Sequence, residues 1–309
     1  MIRVVRSLLQ NEDLNFLLTN RIPRIALTRF MGWFSRIEIP WLVFLSIKTW
    51  QFFTPLDFSD AKKSRFTSLQ DCFTRELKPG ARPIDRDARM LVSPCDAYVG
   101  AHGRVTQGAL FQAKGFPYRL ADLIPDAGVA RSAEGCEYVT LRLSSSMYHR
   151  FHAPDDCRIR KVTYISGDTW NVNPIALRRI ESLFCKNERV VIEALRDGAG
   201  DGAGDGAGDG ARDFILVPVA AVLVASIRLH CIDALLRRGY AGPRRMPCDF
   251  PARRGDELGW FEHGSTIIFF APRGYTLLPR WKLGDRIRVG QGLFHVPAPG
   301  VGAGARTAG

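Results

Sequence analysis

The stretch Phe261-Glu262-His263-Gly264-Ser265-Thr266-Ile267-Ile268-Phe269-Phe270 joins a small, bendable Gly-Ser-Thr step to an apolar run. Large apolar residues in unbroken succession after such a step read as a buried strand. Gly264 tolerates backbone angles that other residues avoid, so it can hold the preceding peptide in a strained turn. Such a turn sets the Ser265 hydroxyl to attack its own preceding carbonyl. The same residues also describe an ordinary turn before a strand, and the rest of the chain has to separate the two readings.

Around this stretch the pattern from Leu91 onward is one of short apolar runs broken by Gly, Pro and Asp, which favours β structure. It predicts strands at 89–92, 98–105, 138–143, 159–165, 189–195, 214–227, 266–270 and 287–296. The run 214–227 carries Pro218 and is too short to span a bilayer, so it reads as one buried strand or a pair of them. Residues 284–296 (GDRIRVGQGLFHV) read as a hairpin with a Gly-containing turn. Short helices are predicted to begin at Leu120 and just after Thr67 or Ser68, one of which serves as the N-cap.

Upstream, residues 1 to 55 are apolar and basic, with Phe30, Trp33, Phe34, Trp41, Phe44, Trp50, Phe52 and Phe53 interleaved with Arg21, Arg24, Arg29 and Arg36. Helices here present a basic face beside an apolar one, the pattern of helices lying in a headgroup region. Packing onto the sheet is the plainer alternative. The formal net charge of +12 favours anionic partners, nucleic acid or an acidic membrane. Charge sign does not choose between them; the large aromatics in so basic a region exceed what packing needs and favour the membrane surface over packing on the sheet, and no nucleic acid is expected as a partner. The expected fold class is therefore α+β: N-terminal amphipathic helices, residues 1–65, then a mainly antiparallel β catalytic domain, residues 66–296.

Residues 197–212 are built on an Asp-Gly-Ala-Gly repeat with no large apolar residue to bury, which predicts a disordered insertion and argues against a calcium-binding β-roll. Residues 297–309 read as a flexible tail. The seven cysteines are scattered without a C-x-x-C pair, which fits reduced thiols on the cytoplasmic side, and Asn11-Glu12-Asp13 interrupts any signal-peptide pattern.

Three further clusters carry polar chemistry: Ser93-Pro94-Cys95-Asp96-Ala97, Tyr148-His149-Arg150-Phe151-His152-Ala153-Pro154, and Gly167-Asp168-Thr169-Trp170-Asn171-Val172-Asn173-Pro174. A neutral imidazole accepts a hydroxyl proton and a carboxylate orients it, so Asp96, His152 and Ser265 supply the parts of a triad. Each also has a plain structural reading, as a turn residue or a satisfied histidine. His149, His152 and Asp96 suggest a metal site only weakly, since the helical spacing of a metalloprotease is absent.

Taken in order, these segments resemble the phosphatidylserine decarboxylases of the long, membrane-associated bacterial type. The resemblance rests on 66–84 (FTSLQDCFTRELKPGARPI), 91–100 (LVSPCDAYVG), 112–120 (QAKGFPYRL), 148–154 (YHRFHAP), 167–174 (GDTWNVNP), 184–191 (FCKNERVV) and 255–272. It implies a proenzyme in which Asp96 and His152 activate Ser265. The chain is then cleaved between Gly264 and Ser265 into a β chain, 1–264, and an α chain, 265–309, which stay together. Ser265 becomes a covalent pyruvoyl (pyruvate) group that forms a Schiff base with phosphatidylserine, and His149 returns a proton after CO2 leaves. The resemblance further implies a peripheral enzyme on the cytoplasmic face of an anionic cell membrane, with no metal; whether it forms a homo-oligomer stays open. His263 departs from the family's usual Leu. An inert membrane-surface descendant and a metal-dependent hydrolase using His149, His152 and Asp96 are the competing readings.

Overall fold

A computed structural model describes residues 12–20, 23–113, 116–197, 213–223, 226–262 and 265–296. The expected insertion beyond residue 197, the tail, His263 and Gly264 lie outside the described residues. The described residues begin with helices α1 (Glu12–Asn20), α2 (Arg24–Phe34), α3 (Pro40–Phe53) and α4 (Leu69–Phe73). Pro40 occupies the first turn of α3, where its missing N–H is not needed, and Ser68 caps α4 by accepting from Asp71 N. Strands β1 (Met90–Val92), β2 (Ala97–Arg104), β3 (Ala109–Ala113) and β4 (Phe116–Arg119) lead to α5 (Leu120–Leu123) and α6 (Ala127–Ser132). Next come β5 (Glu137–Leu143), β6 (Arg150–His152), β7 (Cys157–Ile165), α7 (Pro174–Arg179), α8 (Leu183–Lys186), β8 (Arg189–Arg196) and β9 (Asp213–Ala220). The chain continues through β10 (Ser226–Leu229), β11 (Leu235–Arg237), β12 (Arg245–Ala252), β13 (Glu257–Phe261) and β14 (Ser265–Phe270). It closes with β15 (Thr276–Leu277), β16 (Arg286–Ile287) and β17 (Gly292–His295). The fold is α+β, and its sheets are antiparallel, as expected from the sequence.

The main sheet has eight strands in the order β12-β7-β8-β9-β14-β5-β2-β16. β14 lies inside it between β9 and β5, and all six of its residues are buried. Ile267 and Phe269 enter one core with Val190, Ile192 and Leu216, while Ile268 and Phe270 enter the other with Val191, Val217 and Val219. A strand buried on both faces needs a continuous apolar run, which is what Ile267 to Phe270 supplies. Pro218 is tolerated in the central strand β9 because the β8–β9 ladder pairs Arg189 with Val219 and resumes only at Ile192 with Leu216.

A second sheet, β11-β10-β13-β6, closes one end of the first core. The apolar run 214–227 thus resolves into two strands in different sheets, β9 and the start of β10. The hairpin expected over 284–296 does not form. β16 pairs with β2, whereas β17 pairs with β1 and β15. The turn between them is spent on the loop that carries Asp96: Gly290 N donates to Ser93 O and Ser93 N to Gln291 O. Gly290 has φ +84°, the left-handed region, and an added Cβ would lie 2.6 Å from Pro83 O, so glycine is required there.

Helices α2 and α3 are held in place by polar contacts more than by burial of their own side chains. Arg24 pairs with Asp168, Arg36 with Glu262, and Gln70 N donates to Ser35 O. α2 buries no residue fully and α3 only Val43. Among the described residues, nine of the twelve exposed large hydrophobic side chains fall between Leu17 and Phe53, with Trp33, Trp41 and Phe44 the most exposed of them. No helix among the described residues is long and apolar enough to cross a membrane.

Candidate active site

Ser265 heads β14, opposite Leu143 of β5 and Ala220 of β9. It is fully buried, and its Oγ has no hydrogen-bond partner among the described residues. An unpaired buried hydroxyl costs about 1–3 kcal/mol, so a fold retains one where the group has other work.

The chain that leaves β5 beside Ser265 turns at Ser144 to Met147 and returns as β6, which carries the histidines. His149 is fully buried against Phe73 of α4, with ring centroids 3.9 Å apart, and its backbone carbonyl accepts from Phe261 N. Its Nδ1 lies 2.9 Å from Met147 O. A carbonyl only accepts, so Nδ1 carries the proton and Nε2 the lone pair. The same logic applies to His152, whose Nδ1 bonds Gly255 O at 2.8 Å while its Nε2 lies 3.0 Å from the Tyr148 hydroxyl. Burial pushes the His152 pKa below its ordinary value of 6.5, against the Gly255 carbonyl and the charges of Glu257 and Asp96, which raise it. The ring is therefore a neutral base near pH 7.

Asp96 is buried in the turn before β2. Arg82 grips it with Nε at 2.9 and 3.2 Å and Nη2 at 2.7 Å, and Val289 N donates to Oδ1 at 2.9 Å. Burial works against the Arg82 charge, but its bonds to Asp96 and Asp60 overcome this and hold its pKa above the ordinary value. The His152 backbone N donates to Pro94 O, so the carboxylate turn and the histidine strand adjoin. The hydrogen bonds of Asp96 and His152 nevertheless go elsewhere: Asp96 reaches the ring through its charge, not through contact. Tyr148 and Arg82 stand between two cavities, one of about 220 Å³ lined by Asp96 and one of about 450 Å³ lined by His152.

Three further residues join the site that motif reading did not single out. Arg82 sits within the Pro79-Gly80-Ala81-Arg82-Pro83 turn, and an arginine held between two prolines was the available signal. Glu262, buried just before the Gly264–Ser265 junction, accepts from Ser226 Oγ at 2.7 Å, Gln70 Nε2 at 2.9 Å and Arg36 at 3.0 Å. It ties the N-terminal region to that junction. Glu188 lies beside Ala220, whose N donates to Glu188 O, and so falls in the same cross-sheet row as Ser265. Its Oε1 accepts from Tyr164 at 2.6 Å, and burial pushes its pKa up to about 7. The loop Gly167–Pro174 comes to this sheet end through Asn187, which bonds Trp170 N, Trp170 O and Ala220 O. No group of three potential metal ligands gathers among the described residues.

Comparison with known proteins agrees with the sequence resemblance. The profile of a family described as phosphatidylserine decarboxylase matches residues 69–295. Similar relatives include a phosphatidylserine decarboxylase proenzyme of Aliivibrio salmonicida, 33% identical over 299 residues covering 93% of this chain and 99% of the relative. Another, from Chromobacterium violaceum, is 33% identical over 92% of this chain and 99% of the relative. A third, from Methylibium petroleiphilum, is 32% identical over 93% and 99%.

Proposed function

The chain belongs to the phosphatidylserine decarboxylase family, and on that premise we propose that it is made as a proenzyme that cleaves itself between Gly264 and Ser265 and then decarboxylates phosphatidylserine to phosphatidylethanolamine. The observation that carries this reading is the buried Ser265 Oγ without a partner among the described residues, at the head of the central strand. A nucleophile kept dry and unpaired is held ready for a carbonyl.

In the self-cleavage, Ser265 Oγ bonds to the Gly264 carbonyl carbon while its proton passes to a histidine Nε2. The C–N bond then breaks and its nitrogen takes that proton. Loss of the Ser265 α-proton expels the Gly264 carboxylate, and water releases the nitrogen as ammonia, leaving a pyruvoyl group. The residues present suit that group: a small Ala220 flanks position 265 and no charged side chain among the described residues bonds Oγ. Once condensed with the substrate amine, its ketone supplies the electron sink that amino-acid decarboxylation needs. We assign the cleavage base to His152, supported by its neutral ring, with Asp96 acting on it through charge. The proton returned to the α-carbon is assigned to His149, which delivers it from Nε2 once that nitrogen has been protonated and whose ring Phe73 holds in place.

The site belongs at an anionic membrane, on its cytoplasmic face, with phosphatidylserine drawn from the bilayer. Support comes from the exposed aromatics of α2 and α3 beside Arg29 and Arg36. Residues 1–65 act as the membrane-associating region and 66–296 as the decarboxylase domain, its two cleavage products remaining paired through the ladders of β14 with β5 and β9.

Intact mass under denaturing conditions tests the reading. The expected result is a fragment beginning at position 265 with its serine replaced by pyruvoyl, absent from Ser265→Ala. A single uncleaved chain after membrane expression would favour the inert membrane-surface protein instead.

A further inference from the structure

A cavity of about 510 Å³ opens between α2 and the sheet ends that flank the Gly264–Ser265 junction. Four arginines line it, Arg29 of α2, Arg36 just after that helix, Arg237 at the end of β11 and Arg238 next to it, against one acidic residue, Glu262. Glu262 is already engaged by Ser226, Gln70 and Arg36. Arg29, Arg237 and Arg238 form no ion pair among the described residues, and the one side-chain bond of Arg238 is a long 3.4 Å contact to Gly167 O. Glu188 lies behind Arg237 and Arg238, but its carboxyl is bonded to Tyr164 and only partly ionised at neutral pH. Asp168 also acts on Arg238 through its charge but is paired with Arg24, so the cavity keeps a surplus of positive charge.

A second, independent feature points into the same space. Thr169 lines the cavity, is almost completely buried, and its Oγ1 has no hydrogen-bond partner among the described residues. Its loop is held at the head of β14 by Asn187, which bonds Ala220, the strand partner of Ser265. Gly167 makes that approach feasible, since a Cβ there would lie 2.6 Å from Lys186 O. Guanidinium groups beside an unpaired hydroxyl make a donor set for a phosphate. Trp33 and Ile25 of α2 form the apolar side of the same cavity.

We propose that this cavity binds the phosphodiester of the glycerophospholipid substrate. Arg237, Arg238 and Arg29 take the phosphate oxygens, the Thr169 hydroxyl donates from below, and the acyl chains leave past Trp33 toward the bilayer. The serine head then extends toward position 265. This assignment rests on the decarboxylase reading and adds to it the groups that select a phospholipid over free serine.

The test is calorimetric titration of the full-length Ser265→Ala precursor with a short-chain phosphatidylserine below its micelle concentration, which needs no catalysis. Arg237→Gln/Arg238→Gln is expected to weaken binding at least tenfold. Thr169→Val, which keeps the side-chain shape, is expected to weaken it severalfold. Inorganic phosphate as titrant should bind far more weakly than the lipid. Equal binding of free phosphate, or unchanged lipid affinity in both variants, overturns the assignment. In the cleavable chain the double variant should still yield the fragment starting at 265 and should raise KM about tenfold with little change in kcat. If the wild type does not cleave, the functional reading fails whatever the titration shows. If it cleaves and KM is unmoved, the cavity assignment alone fails.

Discussion

Replacing Glu188 by glutamine probes the charge balance of the Ser265 row directly. The carboxyl is buried, Oε1 accepts from Tyr164 at 2.6 Å, and Oε2 has no partner among the described residues. Burial raises its pKa from the ordinary 4.5 to about 7. A raised folded-state pKa means that the native chain holds the proton more tightly than the unfolded chain. The associated stability is fully present below pH 4.5, falls as pH rises, and is lost above about 7. Converting that displacement gives a loss of about 3 kcal/mol at alkaline pH. The Glu188→Gln side chain keeps an oxygen for Tyr164 but does not ionise. Urea unfolding of the single-chain Ser265→Ala background, with and without Glu188→Gln, should show the difference moving in the variant's favour by about 2.5 kcal/mol between about pH 5 and pH 8.5. Any constant cost of the amide cancels in that comparison. A difference that stays flat across this range would refute the claim that Glu188 holds its proton in the native state.

Two other outcomes follow from the same geometry. Arg82→Met leaves the buried Asp96 carboxylate without its cation, so denaturant titration should show a loss of about 3–5 kcal/mol and intact mass should show uncleaved chain. Wild-type stability or full processing in that variant would mean that the pair is dispensable. The lowered pKa of His152 keeps its ring mostly neutral at pH 6.5. Self-cleavage, followed by the mass of the 265–309 fragment over time, should therefore keep more than half of its rate as pH falls from about 8 to 6.5. The half-point should lie at lower pH, as the ring gains its proton, and a rate already halved at about pH 7 would contradict the assignment.

What could be read in the sequence was local. The run Ile267 to Phe270 has the composition of a doubly buried strand, and Ser68 caps α4 through its own chain. β12 is not among the strands expected from the sequence; it carries Pro247 and Pro251, and it lies at the sheet edge, paired only with β7, where prolines are tolerated. β6 and β13 are too short to show a period and exist because they pair with each other across the fold. The turn near Gly290 was correctly seen as a turn, but its strands answer to different partners. For the site, Ser265, His149 and His152 were visible as residue types in suggestive settings. Arg82 and Glu262 were not, because their roles lie in bonds that only the fold makes, Arg82 to Asp96 in the next turn and Glu262 to Arg36 near the other end of the chain. Gly264 and His263 lie outside the described residues, so the departure at position 263 is a matter of sequence alone.

The arrangement around Asp96 changes how a serine, a histidine and an aspartate work together here. A carboxylate has about four lone-pair positions, and Arg82 and Val289 N fill them with three bonds and one. A direct bond to His152 would require Arg82 to withdraw, yet Arg82 is itself fixed by Asp60 and by Ala81 O. The imidazole does not need that bond for orientation, because Gly255 O sets its tautomer and Tyr148 faces its Nε2. What remains for Asp96 is its charge, which favours protonation of the ring, while burial opposes it. A base used once, to start a cleavage that the chain performs on itself, needs to be neutral beforehand and to bear a proton briefly. A carboxylate acting through its charge alone meets both demands better than one in contact, since contact would favour the charged ring more strongly and leave it protonated before Ser265 attacks the carbonyl.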